Sequence, residues 1–475
     1  RRRMSVLTRD DGGGYVLHVK GAPDVVLDLS THMLKDGRIV PLTEADRRAI
    51  LDENLRMAGE ALRVLAVAYR PLSFPAGEGP DQLAELSTDE AAARLERNLV
   101  FLGLLGMIDP PRPEVKQAVA AARRAGIRTV MITGDHPATA LAVARELGIV
   151  GPGGKALTGR DLDHMTDSQL IEAVQECRVF ARVSPQHKLQ IVRALRALGE
   201  VVAMTGDGVN DAPAVKEADI GIAMGRTGTD VTKEASAMIL ADDNYATIVA
   251  AVEEGRGIYD NIRKFIRYLL GCNAGEVLTM LAATLLGLPL PLIPLQILWM
   301  NLVTDGLPAI ALGLDPVERD IMLQKPRRPR EGVFARGLLR RILFAGLTIS
   351  LTTLALFLFS LWYYPGQVER SRTLAFTVLV FAQLIYAFQC RYERHSIFEL
   401  GIWGNTYLIL AVLLSGAAQV LLLYTPLLSE IFQTVPLTGD DWLLVGLFSV
   451  FPLFAETSVL LLKRAVRKRL ALWKV

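Results

Sequence analysis

Six apolar runs of about twenty residues, all of them after Ile262, constrain this chain more than any other feature. A helix of that length spans roughly 30 Å of hydrocarbon, and hydrocarbon offers backbone N–H and C=O groups no partner outside the segment itself. The runs cover about 265–288, 291–312, 338–362, 373–390, 402–424 and 442–462. Upstream of them charges are dense, and strand-like and helix-like patterns alternate. The 475-residue chain, with 21% charged residues, therefore divides into a sheet-forming soluble half and a helical membrane bundle. Basic residues follow a rule of alternation. Arg263, Lys264 and Arg267 precede or open the first run, Lys325, Arg327, Arg328, Arg330 and Arg336 separate the second from the third, Arg391 and Arg394 follow the fourth, and Lys463, Arg464, Arg467, Lys468 and Arg469 follow the sixth. The intervening connections are short (288–291) or acidic (Glu430, Asp440, Asp441), apart from Arg370 and Arg372. By the positive-inside rule the soluble half and the C-terminus face the cytoplasm.

The net charge of +2 gives no reason to expect a nucleic-acid partner, and the basic clusters beside the apolar runs suit a lipid bilayer. Cys177, Cys272 and Cys390 have no metal-ligand spacing, and a reduced cytosolic setting suffices for them. No signal peptide or solenoid repeat is visible. Arg1-Arg2-Arg3-Met4 runs straight into a strand-like segment, as if the sequence began inside a domain.

Asp305 lies within the second apolar run, in Thr304-Asp305-Gly306-Leu307-Pro308, with Asn301 one helical turn before it. An ionised carboxylate at that depth costs about 2.5–3.5 kcal/mol on insertion scales, so it persists where it faces a partner, an ion or a cavity. Residues three and four apart share a helix face, which sets Asn301, Thr304 and Asp305 side by side. Pro308 has no N–H for the carbonyl of Thr304, and Gly306 loosens the same turn, so a broken helix offering carbonyl and carboxylate oxygens is expected. A proline kink with Asp305 paired to a neighbouring helix is the other reading. In the first run Asn273 and Glu276 also share a face, and no Lys or Arg lies inside that run beyond Arg267. Two acids and two amides without a basic partner suit a hard cation, Ca2+ above all, with Mg2+, Mn2+ or an alkali ion as alternatives.

In the soluble half, strand-like Thr129-Val130-Met131-Ile132 leads into Thr133-Gly134-Asp135, and Val201-Val202-Ala203-Met204 leads into Thr205-Gly206-Asp207-Gly208-Val209-Asn210-Asp211. The alternation of strands and helices from 99 to 239 predicts a parallel sheet, in which ligands bind beyond the carboxyl ends of the strands. Glycine amides and a threonine hydroxyl suit phosphate, the aspartates suit Mg2+, and Ser184-Pro185-Gln186-His187-Lys188 opens a helix carrying Lys188 as a point charge for a phosphoryl group. A single Thr-Gly-Asp is usually a turn; the pair, with the long Asp-rich version second, is far more specific. Read by themselves, Lys20 is a solvated strand-end lysine and Arg63 a surface helix charge.

Asp109-Pro110-Pro111-Arg112, Thr133-Gly134-Asp135-His136, Ala181-Arg182-Val183-Ser184-Pro185-Gln186-His187-Lys188 and Thr205-Gly206-Asp207-Gly208-Val209-Asn210-Asp211-Ala212-Pro213 resemble, in this order, the phosphorylation-domain motifs of P-type ATPases. Asn273-Ala274-Gly275-Glu276 and Asn301-Leu302-Val303-Thr304-Asp305-Gly306-Leu307-Pro308 resemble the fifth and sixth membrane helices of the sarcoplasmic-reticulum-type calcium pumps in that family. The resemblance covers essentially the whole chain. It implies an α/β fold plus an α-helical transmembrane bundle of six spans. Residues 1–98 would be the C-terminal part of an α+β nucleotide-binding domain, and 256–475 the transmembrane domain. Residues 99–255 would be a haloacid-dehalogenase-like Rossmannoid phosphorylation domain lacking its first strand and its phosphorylated aspartate. By the same resemblance Asp207 holds the catalytic Mg2+, Lys188 and Thr133 contact the transferred phosphoryl group, Asn210 and Asp211 support that site, and Asp135 faces the nucleotide. Lys20-Gly21-Ala22-Pro23-Asp24 and Ala61-Leu62-Arg63-Val64-Leu65-Ala66 are similar to nucleotide-domain motifs, which makes Lys20 and Arg63 ligands of ATP. Asn273, Glu276, Asn301, Thr304 and Asp305 would ligate transported Ca2+. Gln383 stands where two-site calcium pumps place a glutamate; it is either an uncharged sixth ligand or a helix-packing amide.

No Asp-Lys-Thr-Gly-Thr and no Thr-Gly-Glu-Ser occurs in the sequence, and the family's first four membrane helices have no counterpart in it. The expectation is the C-terminal half of a Ca2+-exporting P-type ATPase, a translocase that hydrolyses ATP through an aspartyl-phosphate formed outside this segment. Its partner is then the N-terminal half of the same pump, its location the plasma membrane of a prokaryote, and its activity alone nil. The alternatives are a P-type pump for Mn2+ or Na+, and a stand-alone, non-catalytic cation-binding membrane protein.

Overall fold

Strict alternation in β2 (Tyr15–Gly21), where buried Leu17 and Val19 alternate with exposed His18 and Lys20, makes one face of a sheet apolar and leaves the other open. The structure is a computed structural model that describes residues 2–9, 14–59, 62–73, 88–107, 110–329, 331–392, 401 and 403–472, without the side chains of 88, 89, 91 and 460–472. Arg1, Ala61, Asp109, Arg330, Arg394, the start of the 402–424 run and the side chains of the basic cluster 463–469 lie outside the described residues. The chain forms two units, residues 1–249 and 250–475.

In the first unit a six-stranded sheet adds to β2 the strands β1 (Arg3–Arg9), β3 (Ser30–Lys35), β4 (Arg38–Pro41), β5 (Arg63–Leu72) and β6 (Leu99–Met107), in the order β1-β2-β5-β6-β3-β4. Among the described residues of this sheet only β3 and β6 pair in parallel. Leu17, Val19, Val26, Leu27, Ala66, Ala68, Leu99 and Phe101 form the core on its covered face. Further along lie two short parallel sheets. One contains β7 (Met131–Ile132), β8 (Leu157–Thr158) and β9 (Val179–Ala181) in the order β7-β9-β8. The other contains β10 (Ala203–Gly206), β11 (Ile220–Met224) and β12 (Met238–Leu240) in that order. Helices α1 (Pro113–Arg124), α2 (Pro137–Glu146) and α3 (Pro185–Ala197) alternate with them.

The sequence pattern predicts one parallel sheet; among the described residues it comes as two pieces, with β7 and β10 each at the edge of its own. Phe180, Ile191, Met204 and Val215 nevertheless share a single apolar cluster, with Val130 and Ile132 packed against it. Apolar runs report burial, whereas ladder pairing depends on which strand lies alongside, so the pattern could not separate the two pieces. Helix α3 follows its sequence signals closely. Ser184 caps it in a reciprocal box with His187, and Pro185 occupies its first turn.

Among the described residues six helices are long and apolar enough to cross a membrane: α4 (Tyr245–Leu285), α5 (Pro294–Gly313), α6 (Leu338–Tyr363), α7 (Val368–Cys390), α8 (Thr406–Tyr424) and α9 (Gly439–Leu472). Helix α4 has 41 residues, about 60 Å at 1.5 Å per residue and thus about twice the hydrocarbon thickness; its apolar run is only the C-terminal part. Helix α7 is the most enclosed, with 83% of its apolar window buried. Leu302, Leu413, Leu443 and Leu447 point outward, as lipid-facing side chains do. Helices α4 and α6 meet where side chains are smallest: a Cβ on Gly346 would lie 2.6 Å from the Cβ of Ala274, and one on Gly275 2.9 Å from Ile349.

Candidate cation and phosphoryl-transfer sites

Within the membrane unit, Glu276 on α4 is buried and held from two other helices. Its Oε2 accepts from Asn301 Nδ2 of α5 at 3.1 Å, and its Oε1 accepts from Gln383 Nε2 of α7 at 2.9 Å. The turn Met300–Thr304 of α5 is π-helical, and the amide of Asp305 donates to the carbonyl of Met300, five residues back, at 2.9 Å. The predicted break is therefore a widened turn, which carries Asn301 and Asp305 inward together. Asp305 is fully buried; its Oδ1 accepts from the hydroxyl of Tyr268 at 2.9 Å, and its Oδ2 has no hydrogen-bond partner. Gln383 Oε1 is buried and unpartnered as well.

Not every predicted ligand joins this group. Asn273 donates to the carbonyl of Leu269 (2.8 Å) and Thr304 to that of Met300 (3.2 Å), so both are tied to their own helices. Tyr268 was not singled out from the sequence, although it lies eight residues before Glu276 and so near the same face of α4. A periodicity search through the apolar run from that acid would have found it.

Charge bookkeeping separates this site from its surroundings. Other buried acids of the unit have cations: Asp315 meets Lys264 (2.8 Å) and Arg391 (2.9 Å), Asp441 meets Arg370 (2.7 Å), and Glu456 meets Arg267. Among the described residues Glu276 and Asp305 have none. Asp305 does pair with a neighbouring helix, through the Tyr268 hydroxyl of α4, and this partner brings no positive charge. No cluster of three His, Cys, Asp or Glu side chains occurs among the described residues, so a cation here would be held by mixed carboxylate, amide and carbonyl oxygens, a set that hard cations accept.

In the first unit, the turns after β7 and β10 are joined through α3. Lys188 Nζ donates to Asp211 Oδ1 at 2.6 Å, and Asp211 Oδ2 accepts weakly from the amides of Asp207 and Gly208, each at 3.4 Å. Burial pushes the Asp211 carboxyl up, but the hydrogen bond and charge of Lys188 prevail and hold it below its ordinary range. The Asp211 carboxyl is ionised at neutral pH. On the other turn Thr133 Oγ1 donates to Asp135 Oδ2 at 2.9 Å, while the amide of Asp135 donates back to Thr133 Oγ1 at 3.1 Å. Amides of Arg182 and Val183, just before α3, bind the carbonyls of Asp135 and Thr133. Asp207 and Asn210 are exposed at the tip of their turn, and among the described residues the Asp207 carboxylate has no protein partner. A single free carboxylate fits Mg2+, which keeps most of its waters.

Residues 289–462 match the family described as "Cation transporting ATPase, C-terminus", and residues 1–114 match "P-type ATPase, cytoplasmic domain N". The chain is 49% identical over 465 residues to "Calcium-transporting ATPase" of Bacillus subtilis, covering 98% of this chain and 51% of that protein. It is 45% identical to "Calcium-transporting ATPase 1" of Bacillus cereus (98% and 52%) and 40% identical to "Endoplasmic reticulum calcium ATPase srcA" of Aspergillus fumigatus (93% and 49%). The chain belongs to the P-type ATPase family. It spans about half the length of the curated relatives it matches. As a P-type ATPase chain with six apolar helices it is a multi-pass membrane protein.

The two residues similar to P-type nucleotide ligands share one face of the six-stranded sheet. Lys20 pairs with Val67, and Val67, Leu65 and Arg63 alternate on the same side of β5, away from the core. Arg63 opens a strand, not a helix, which corrects its local reading. Arg63 pairs in turn with Met107 and Leu65 with Leu105, both exposed, so the basic pair borders an apolar strip that the sequence motifs did not mark.

Proposed function

We propose that this chain is the C-terminal half of an ATP-driven Ca2+ pump. One observation carries the reading: among the described residues two buried membrane carboxylates lack a basic partner, while Glu276, Asn301 and Gln383 are linked across three helices beside unpaired oxygens of Asp305 and Gln383. Buried charges without counter-ions are costly, and a divalent cargo supplies the missing charge. Glu276, Asp305, Asn301 and Gln383 ligate Ca2+, with Asn273 and Thr304 joining if their side chains leave their helix carbonyls.

In the soluble half, residues 1–98 belong to a nucleotide domain and 99–255 to a phosphorylation domain, and 256–475 form the membrane domain. Lys20 and Arg63 bind ATP. Lys188 and Thr133 contact the transferred phosphoryl group, Asn210 and Asp211 support the turn, and Asp135 faces the nucleotide. Asp207 holds Mg2+, which offsets charge on the phosphoryl oxygens when bound. The phosphorylated aspartate comes from the N-terminal half of the pump, so the chain alone transfers no phosphoryl group. The soluble half and the C-terminus face the cytoplasm, a reading that the basic connections support, and the membrane is the plasma membrane of a prokaryote.

In membranes carrying the whole pump, E276Q and D305N should each raise the Ca2+ concentration for half-maximal ATPase about tenfold or more, because each removes one of two ligand charges. ATPase activity that follows Mn2+ or Na+ and ignores Ca2+ would sink this reading. Acid-stable, hydroxylamine-sensitive label on the chain alone would show a nucleophile within it.

A further inference from the structure

Asp243 stands just after β12 at a φ of +53°, a region that few side chains adopt. Its carboxylate accepts four hydrogen bonds from the loop that follows β11. Oδ1 accepts from the amides of Gly225 (2.6 Å) and Arg226 (3.0 Å), and Oδ2 from the amide and the hydroxyl of Thr227 (both 2.9 Å). The loop is tightly seated: a Cβ on Gly225 would lie 2.5 Å from the carbonyl oxygen of Leu240, and one on Gly228 2.0 Å from that of Met224. Its far end reaches the turn after β10. The amide of Thr229 donates to the carbonyl of Asp207 (2.9 Å), and the hydroxyl of Thr232 to the carbonyl of Gly208 (2.8 Å). Asp211 takes the amides of the same two residues. The Asp207–Gly208 peptides are thus gripped by their amides from one side and by their carbonyls from the other.

We propose that Asp243 is a positioning residue for Asp207: by fixing residues 225–227 it sets where the donors of Thr229 and Thr232 stand, and with them the aim of the Asp207 carboxylate. This rests on the reading of Asp207 as the residue that holds Mg2+. The site needs a carboxylate because all four groups that meet it are donors, so an asparagine would turn an NH2 toward two of them. Groups behind a metal ligand commonly change metal affinity by 10–100-fold when removed.

In the whole pump, D243A should raise the Mg2+ concentration for half-maximal phosphorylation about tenfold. D243N, which keeps one acceptor oxygen, should raise it less, and the Ca2+ dependence should stay unchanged in both. In this chain alone, hydrogen exchange at the amides of Asp207 and Gly208 should quicken in D243A together with residues 225–227, whereas T232V should quicken the first pair only. Faster exchange confined to 225–227, or equal shifts in Mg2+ and Ca2+ dependence, would overturn the proposal and leave Asp243 a purely structural clamp. If the wild-type pump takes no phosphate from ATP, the reading of the site fails, and the exchange pattern still decides whether Asp243 positions the turn.

Discussion

The amide of Arg226, with the amides of Thr227 and Gly225 and the Thr227 hydroxyl, holds the Asp243 carboxyl down from its ordinary 3.8 to about 2, against a smaller opposing effect of burial. A carboxyl depressed in the folded state stabilises it above the unfolded pKa and loses that contribution as the pH falls through the folded value. The melting temperature of the sheet-containing unit should therefore be higher in the wild type than in D243N at pH 7, and the gap should close between about pH 4 and pH 2. A gap that widened on acidification would contradict the hydrogen-bond pattern. None of this was legible in the sequence, because Asp242-Asp243-Asn244 reads as an ordinary loop and the partners of Asp243 lie 16 to 18 residues away. Lys188 and Asp211, by contrast, stood in recognisable motifs, and only their pairing needed coordinates.

At the scale of elements, the glycine contact between α4 and α6 governs how Glu276 is presented, since Gly275 is its immediate neighbour. A larger side chain at Gly346 would press on Ala274, and overpacking of this kind costs about 1–3 kcal/mol. We expect G346V to lower the thermal stability of the membrane unit and to weaken Ca2+ activation of the pump, whereas G313A, with nothing within 4 Å of a new Cβ, should leave both near wild type. Thermal unfolding and Ca2+ titration of the two variants would check this. Existence and number of the membrane helices followed from apolar length alone, and Gly306 with Pro308 announced an irregular turn in α5. The form of that turn, π-helical at Met300–Thr304, did not follow. A proline tells which hydrogen bond is lost, not how the chain rewinds around the loss. The same limit explains Asn273: helical periodicity gave its face, while its bond to Leu269 is a choice of rotamer.

For the whole membrane unit, ion pairs between distant parts of the chain tie first helices to last. Arg267 near the start of the apolar run of α4 meets Glu456 on α9, 189 residues later, and also donates to the carbonyls of Gln389 in the last turn of α7 and of Tyr392 just after it. Leaving one member of such a pair buried and alone costs about 3–5 kcal/mol, whereas replacing both by apolar residues is often neutral. E456A should accordingly reduce the amount of folded protein sharply in detergent, and R267M combined with E456L should recover much of it; a double variant no better than the single one would argue against the pair as the cause. In the sequence Arg267 only marks the entry of an apolar run and adds to its basic flank, because charge patterns along a chain carry no information about partners so far apart.

Enclosure of α7 has a mechanical consequence. A helix touched on nearly every side cannot slide or turn without disturbing all its neighbours, so Gln383 offers Glu276 a stationary hold. Helix α5 has a loosened turn at its middle and Leu302 facing outward, so its central portion can shift while its ends stay put. Under the proposed function, Gln383 would be the part of the site that stays in place, and the side carrying Asn301 and Asp305 the part that yields as an ion passes.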